Sequence, residues 1–297
     1  MEKKSGKVKA ILFSILVMIV FFVVLTIGQY IVLFPEMMKA VAEEGMTNTT
    51  DMLTLLTEKE GLMANAQFVG EIVVIAVMAI WYYFGIVKKE KLEGTYEPVS
   101  KKFENKYNLL FVAILILTGS FALFTTYTLV NLAIPEVVEE FTQVMGGLTD
   151  NALGLIAIIV GAPLSEEMAV RGIIMKRTKK SYGLIGCMII SGICFGIMHA
   201  NIVQGIYAIP LGMVYGYIAY KFNSIIPTII GHAFHNGLGG YILEVVGGPG
   251  AVIGLVLCLI ALYFVSKKVD IPESKTEEVL SSVEENREAT EDMFVEE

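Results

Sequence analysis

The 297-residue chain is 55% hydrophobic and 18% charged, with a mean hydropathy of +0.66, which excludes an ordinary soluble domain and points to a polytopic membrane protein. Its formal charge of -8 says little about partners, because the excess acids lie in residues 270–297 and the remainder is slightly basic; neither a nucleic-acid nor a nucleotide ligand is suggested. Cys187, Cys194 and Cys258 sit inside apolar runs without paired spacing and read as packing residues.

The predicted fold is all-α, with about eight transmembrane helices near 10–34, 67–87, 108–134, 152–175, 182–200, 203–220, 225–245 and 250–266. Lys3, Lys4, Lys7 and Lys9 precede the first, whose apolar core outruns a signal-peptide core of about 7 to 15 residues, so it reads as a retained span. If the spans alternate, those lysines share one side with Lys88, Lys89, Lys91, Lys101, Lys102, Lys106, Lys176, Arg177, Lys179, Lys180, Lys221, Lys267 and Lys268. Positive charge in short loops marks the cytoplasm, so both termini are expected there, in a multi-pass protein of the cell membrane.

The organisation follows from these spans. Residues 1–149 carry the first three, with an outside amphipathic segment at 35–66 suited to resting on the membrane or capping a cavity, and a charged linker at 88–107. Residues 150–245 form the expected core and 246–269 the last helix. The acidic tail, 270–297, lacks the apolar density to fold alone and reads as disordered or weakly helical. No solenoid repeat and no phosphate-binding glycine pattern occurs.

Charged groups inside the core single out its chemistry. Glu166, Glu167 and Arg171 fall within one span, where each charge costs about 2.5–3.5 kcal/mol on insertion scales and needs a partner or a task. Glu167 and Arg171 are four apart and can pair on one helix face. Glu166 points about 100° away and stays free. A carboxylate without water or a cation is the better proton acceptor, which suits a general base. Pro163 is expected to bend the helix one turn earlier.

All three histidines of the chain fall between 199 and 235. His199 follows Phe195 by one turn and can hold a water together with Glu166. His232 and Asn236 again share a face, and their N–H groups can donate to the oxyanion of amide hydrolysis. His235 is a supporting neighbour or a metal ligand. At 1.5 Å per residue, Glu166 lies about 15 Å from Lys176 and Asn236 about 16 Å from Ile225, but His199 about 25 Å from Tyr182. The fifth helix must therefore start later, tilt or be displaced. Glu71, near the outer end of its span and within reach of water, reads as structural.

The ordered motifs EExxxR, FxxxH and HxxxN on successive spans resemble those of the CPBP intramembrane protease family, which comprises type II CAAX prenyl endopeptidases, bacteriocin-processing and bacteriocin-immunity proteins and Abi proteins. The resemblance covers about residues 150–245. It implies a glutamate-type endopeptidase with no cofactor, in which Glu166 and His199 activate water, Glu167 pairs with Arg171, and His232 and Asn236 form the oxyanion site. Its substrate would be a membrane-associated or lipidated protein or peptide. Two rival readings keep the same residues: a zinc enzyme with Glu166, His199 and His232 or His235 as ligands, and a non-catalytic immunity or proton-relay protein.

Overall fold

Helices account for the whole architecture of this computed structural model, which describes residues 2–45 and 48–271, and no strand occurs among them. The acidic tail therefore lies outside the described residues, apart from its first two positions. Helix α1 runs Glu2–Glu44, α2 Thr49–Glu58 and α3 Leu62–Tyr82, which continues through a π-helical turn to Leu92. Then follow α4 Lys106–Ala133, α5 Pro135–Leu148 and α6, a continuous helical run over Ala152–Thr178. Helices α7 Leu184–Met198, α8 Ile202–Phe222 and α9 Ile226–Ser266 complete the chain.

Six of these are long and apolar enough to cross a membrane, namely α1, α3 with its extension, α4, α6, α8 and α9; α7 is apolar but shorter. Their outward faces carry large bare apolar side chains such as Leu12, Ile80, Leu132 and Leu257, as helices facing lipid require. The segment 35–66 departs from a separate surface element in its first half, because α1 continues through Pro35 to Glu44. Asn48 caps α2 by accepting from the Thr50 N–H at 2.9 Å. Met52 and Leu56 of α2 then pack on Ala40 and Leu62. Helix α5 falls between the predicted spans 108–134 and 152–175; it begins on Pro135, a favoured first helical residue, and buries Val138.

The last helix, α9, doubles back. Gly247 leaves helical geometry (φ 64°, ψ 178°), a left-handed backbone that glycine adopts freely, and Pro249 cannot continue the preceding ladder. Contacts along α4 show the reversal. Gly231 packs on Ile116 and Gly248 on Thr128, then Gly254 on Phe121, and finally Asn105 Nδ2 donates to Lys268 O at 3.1 Å. The predicted spans 225–245 and 250–266 are these two limbs.

One end of the bundle collects the basic residues. There Tyr182 Oη donates to Lys7 O, Lys176 Nζ pairs with Glu90 and Asn223, and Lys179 Nζ donates to Tyr220 O. Asn108 ties the end of the described chain to the same region through Asp270.

Two apolar cores lie side by side. One joins α1, α3 and α6 around Phe21, Met78 and Ile173; the other joins α4, α8 and α9 around Phe124, Leu211 and Tyr215. Helix α7 stands between them, giving Cys194 and Met198 to the first and Phe195 to the second. Its approach to α8 depends on small residues, as in many membrane bundles. A Cβ on Gly196 would sit 2.5 Å from the Gly205 carbonyl oxygen. Gly196→Ala should therefore cost about 1–3 kcal/mol of stability through overpacking, measured by unfolding in detergent. Gly240→Ala, where nothing lies within 4 Å, is the matched control and should cost far less.

Candidate active site

The carboxylates sit on a weakly self-supported piece of α6. Ala162–Glu167 is α-helical, but the π-helical turns Ala157–Gly161 and Met168–Ile174 flank it. In the first of these, the Ala162 N–H bonds to Ala157 O. The next bond in that register would join residue 163 to Ile158 O, and Pro163 has no N–H to give. Asn236 fills the vacancy, its Nδ2 donating to Ile158 O at 2.9 Å. The bend expected from Pro163 thus takes the form of a π turn, patched from α9.

Arg171 and Glu167 meet at the seam between the two cores. Arg171 Nη1 donates to Glu167 Oε1 at 2.7 Å and Nη2 to Gly212 O at 3.0 Å, and both side chains are fully buried. The guanidinium lies 4.5 Å from the Phe195 ring centre and 5.4 Å from that of Tyr215, a favourable cation–π arrangement. Ser191 Oγ also donates to Gly212 O, at 2.9 Å.

His232 bridges the two glutamates. Its Nδ1 is 3.1 Å from Glu167 Oε1 and its Nε2 is 4.0 Å from Glu166 Oε2. A carboxylate can only accept, so Nδ1 carries the hydrogen and Nε2 is left for the Glu166 side. Glu166 Oε2 is buried and has no hydrogen-bond partner. His199 closes α7, with Nδ1 2.7 Å from Phe195 O. Nδ1–H must donate there, so a neutral His199 offers the Nε2 lone pair to a water proton. Directly after it, Ala200 takes a left-handed φ of 50°, at a cost of about 1–2 kcal/mol for a residue with a Cβ.

Phe195 is the common wall. Its ring centre lies 4.9 Å from that of His199 and 5.2 Å from that of His232, both edge-on, and Arg171 covers it. His199 thereby joins the group although α7 begins only at Leu184, two residues later than predicted. His235 faces elsewhere: its Nδ1 lies 3.2 Å from Ser120 Oγ and its ring rests against Phe124, both on α4.

Three residues of this neighbourhood escaped the sequence reading of the site. Tyr215 is wholly buried with its ring 6.0 Å from that of His232 and its hydroxyl unpartnered. Ser165 Oγ donates to Glu71 Oε2 at 2.8 Å, and Glu71, expected near water, is only 2% exposed. Among the described residues, no three His, Cys, Asp or Glu side chains are disposed to hold a metal ion. Nδ1 of both His199 and His232 is already engaged. That leaves Nε2 of each ring as the open nitrogen, for a water or for an ion.

Comparison with known families addresses the same stretch. Residues 148–238 match the family model described as Type II CAAX prenyl endopeptidase Rce1-like. This agrees with the resemblance carried by the three motifs. The Rce1-like segment spans α6, α7, α8 and most of the first limb of α9, and contains Glu166, Glu167, Arg171, Phe195, His199, His232, His235 and Asn236. It covers about a third of the chain; Glu71, from α3, lies outside it. No curated protein and no solved structure matches the chain. The Rce1-like match supports an intramembrane CAAX-type protease family, acting on protein in a lipid environment.

Proposed function

We propose that the protein is an endopeptidase of the cell membrane that crosses the bilayer eight times with both termini in the cytoplasm and hydrolyses a peptide bond within or near the membrane. The observation that carries this reading is Glu166: a buried carboxylate with one oxygen free of any hydrogen-bond partner, beside a histidine already oriented by a second glutamate. In this reading helix α7 and the second limb of α9 are the two remaining crossings, since α9 returns on itself at Gly247.

In this mechanism a water lies between Glu166 and Nε2 of His199. Glu166 takes one of its protons as the oxygen attacks the scissile carbonyl carbon. The resulting oxyanion receives hydrogen bonds from His232 Nε2, when that ring is doubly protonated, and from the second N–H of Asn236, whose first is spent on Ile158 O. Each such donor is worth about 2.7–4 kcal/mol of barrier. Glu166 then returns its proton to the leaving amine, and the C–N bond breaks. Arg171 holds Glu167, Glu167 holds His232, and the ring is thereby aimed. Prenylated proteins of the CAAX type, or other membrane-associated peptides, are the substrate class that the Rce1-like match favours.

The test is cleavage of a quenched, farnesylated CAAX peptide by protein purified in detergent, with and without a strong chelator. Activity should survive the chelator, and His199→Ala should lower kcat by about 100-fold or more while leaving the protein folded. Activity lost to the chelator and restored by zinc would contradict this mechanism.

A further inference from the structure

The backbone ladder around the short helix Ala162–Glu167 is interrupted, since π turns bound it on both sides and Pro163 lacks an N–H. Side chains add to its hold. Glu167 is tied to α9 through His232, and Arg171, one turn on, to α8 through Gly212 O. Towards α3 the tie is Ser165, the residue next to Glu166, whose hydroxyl donates to Glu71 Oε2 at 2.8 Å.

That hydroxyl has an alternative. Ala162 O lies 3.1 Å from Ser165 Oγ and would take its hydrogen as a bond within the helix. A carboxylate is the stronger acceptor and draws the hydroxyl across to α3 instead. Glu71 is itself fixed: Gln67 Nε2 donates to Glu71 Oε1 at 3.0 Å, and Gln29 Nε2 donates to Gln67 Oε1 at 2.8 Å, which sets the orientation of the Gln67 amide. Gly161 allows the approach, because a Cβ there would stand 3.0 Å from Glu71 Cβ. Among the described residues no lysine or arginine pairs with Glu71, so an ion pair does not account for a carboxylate at this depth.

We propose that Glu71 is a positioning residue for Glu166, acting through Ser165 to lock the α6 turn against α3. This rests on Glu166 being the base of the peptidase described above. It adds a site residue from outside the Rce1-like segment, on a helix that contributes none of the three motifs.

Hydrogen–deuterium exchange of the detergent-purified protein reads the lock without needing a substrate. In Glu71→Leu and in Ser165→Ala, amides of residues 162–170 should exchange about tenfold faster than in wild type, with peptides from α4 and the second limb of α9 unchanged. The same variants should lose about tenfold in kcat on the farnesylated peptide at nearly constant KM, because misplacing a reacting group costs rate rather than binding. Glu71→Gln, which keeps a carbonyl acceptor for Ser165, should fall between them and wild type. Unchanged exchange, or acceleration throughout the protein, would overturn the proposal, as would a local acceleration with kcat intact. If Glu71→Leu does not fold, Ser165→Ala removes the same bond with a smaller change and decides alone. An active Glu166→Gln protein would instead remove Glu166 as the base and leave the exchange result standing.

Discussion

Arg171→Met is expected to lower the unfolding free energy by about 3–5 kcal/mol, among the largest effects of any single substitution in this chain. The methionine fills much of the same space, so the cost is electrical. It leaves Glu167 buried at 0% exposure with its cation gone, and withdraws one of the two donors to Gly212 O, Ser191 Oγ being the other. Surface ion pairs such as Lys39 with Glu43, both well exposed, should by contrast contribute under about 1 kcal/mol. Replacing both partners, Arg171→Met with Glu167→Leu, should recover part of the loss, because no unpaired charge then remains inside. Unfolding curves in one detergent for the single and double variants give the answer. An Arg171→Met protein within about 1 kcal/mol of wild type would mean that Glu167 is not charged in the folded state.

Glu166→Gln should behave in the opposite way. Glu166 Oε2 makes no hydrogen bond, so the amide forfeits no partner of that oxygen and the variant should unfold close to wild type. Its catalytic cost should be large, since an amide cannot take the proton of the attacking water; loss of a general base typically removes about 100- to 10,000-fold of rate. Stability held and rate lost together distinguish a catalytic carboxylate from a packing one.

Spacing explains what could be read from the sequence. Pairs four apart, Glu167 with Arg171 and His232 with Asn236, stay neighbours on a helical backbone, so their proximity was legible from spacing even though the turn Met168–Ile174 that carries Arg171 is π-helical. The reversal at Gly247 was marked by the run Gly247-Gly248-Pro249 between two apolar stretches. Where two helices meet is set instead by small residues, and their partners are not visible in one sequence. Glu71 looked exposed because it stands about one turn inside the predicted span 67–87, yet the helix starts earlier, at Leu62, and Gly161 lets α6 close over it. The π turns were hidden for a similar reason: Pro163 announces a defect, but the register that absorbs it depends on Asn236 arriving from α9. Tyr215 carried no signal beyond a polar tip in an apolar run. Helix α5 was missed because its few apolar positions stand among Glu136, Glu139 and Glu140.

The most direct test of the central claim is a single comparison. Wild type and Glu166→Gln, purified in the same detergent and shown to unfold alike, are assayed on the quenched farnesylated peptide under saturating substrate. Chelator-resistant cleavage by the wild type, reduced at least about 100-fold in Glu166→Gln, is the predicted result. Equal rates from the two proteins would contradict the assignment of Glu166 as the group that activates water.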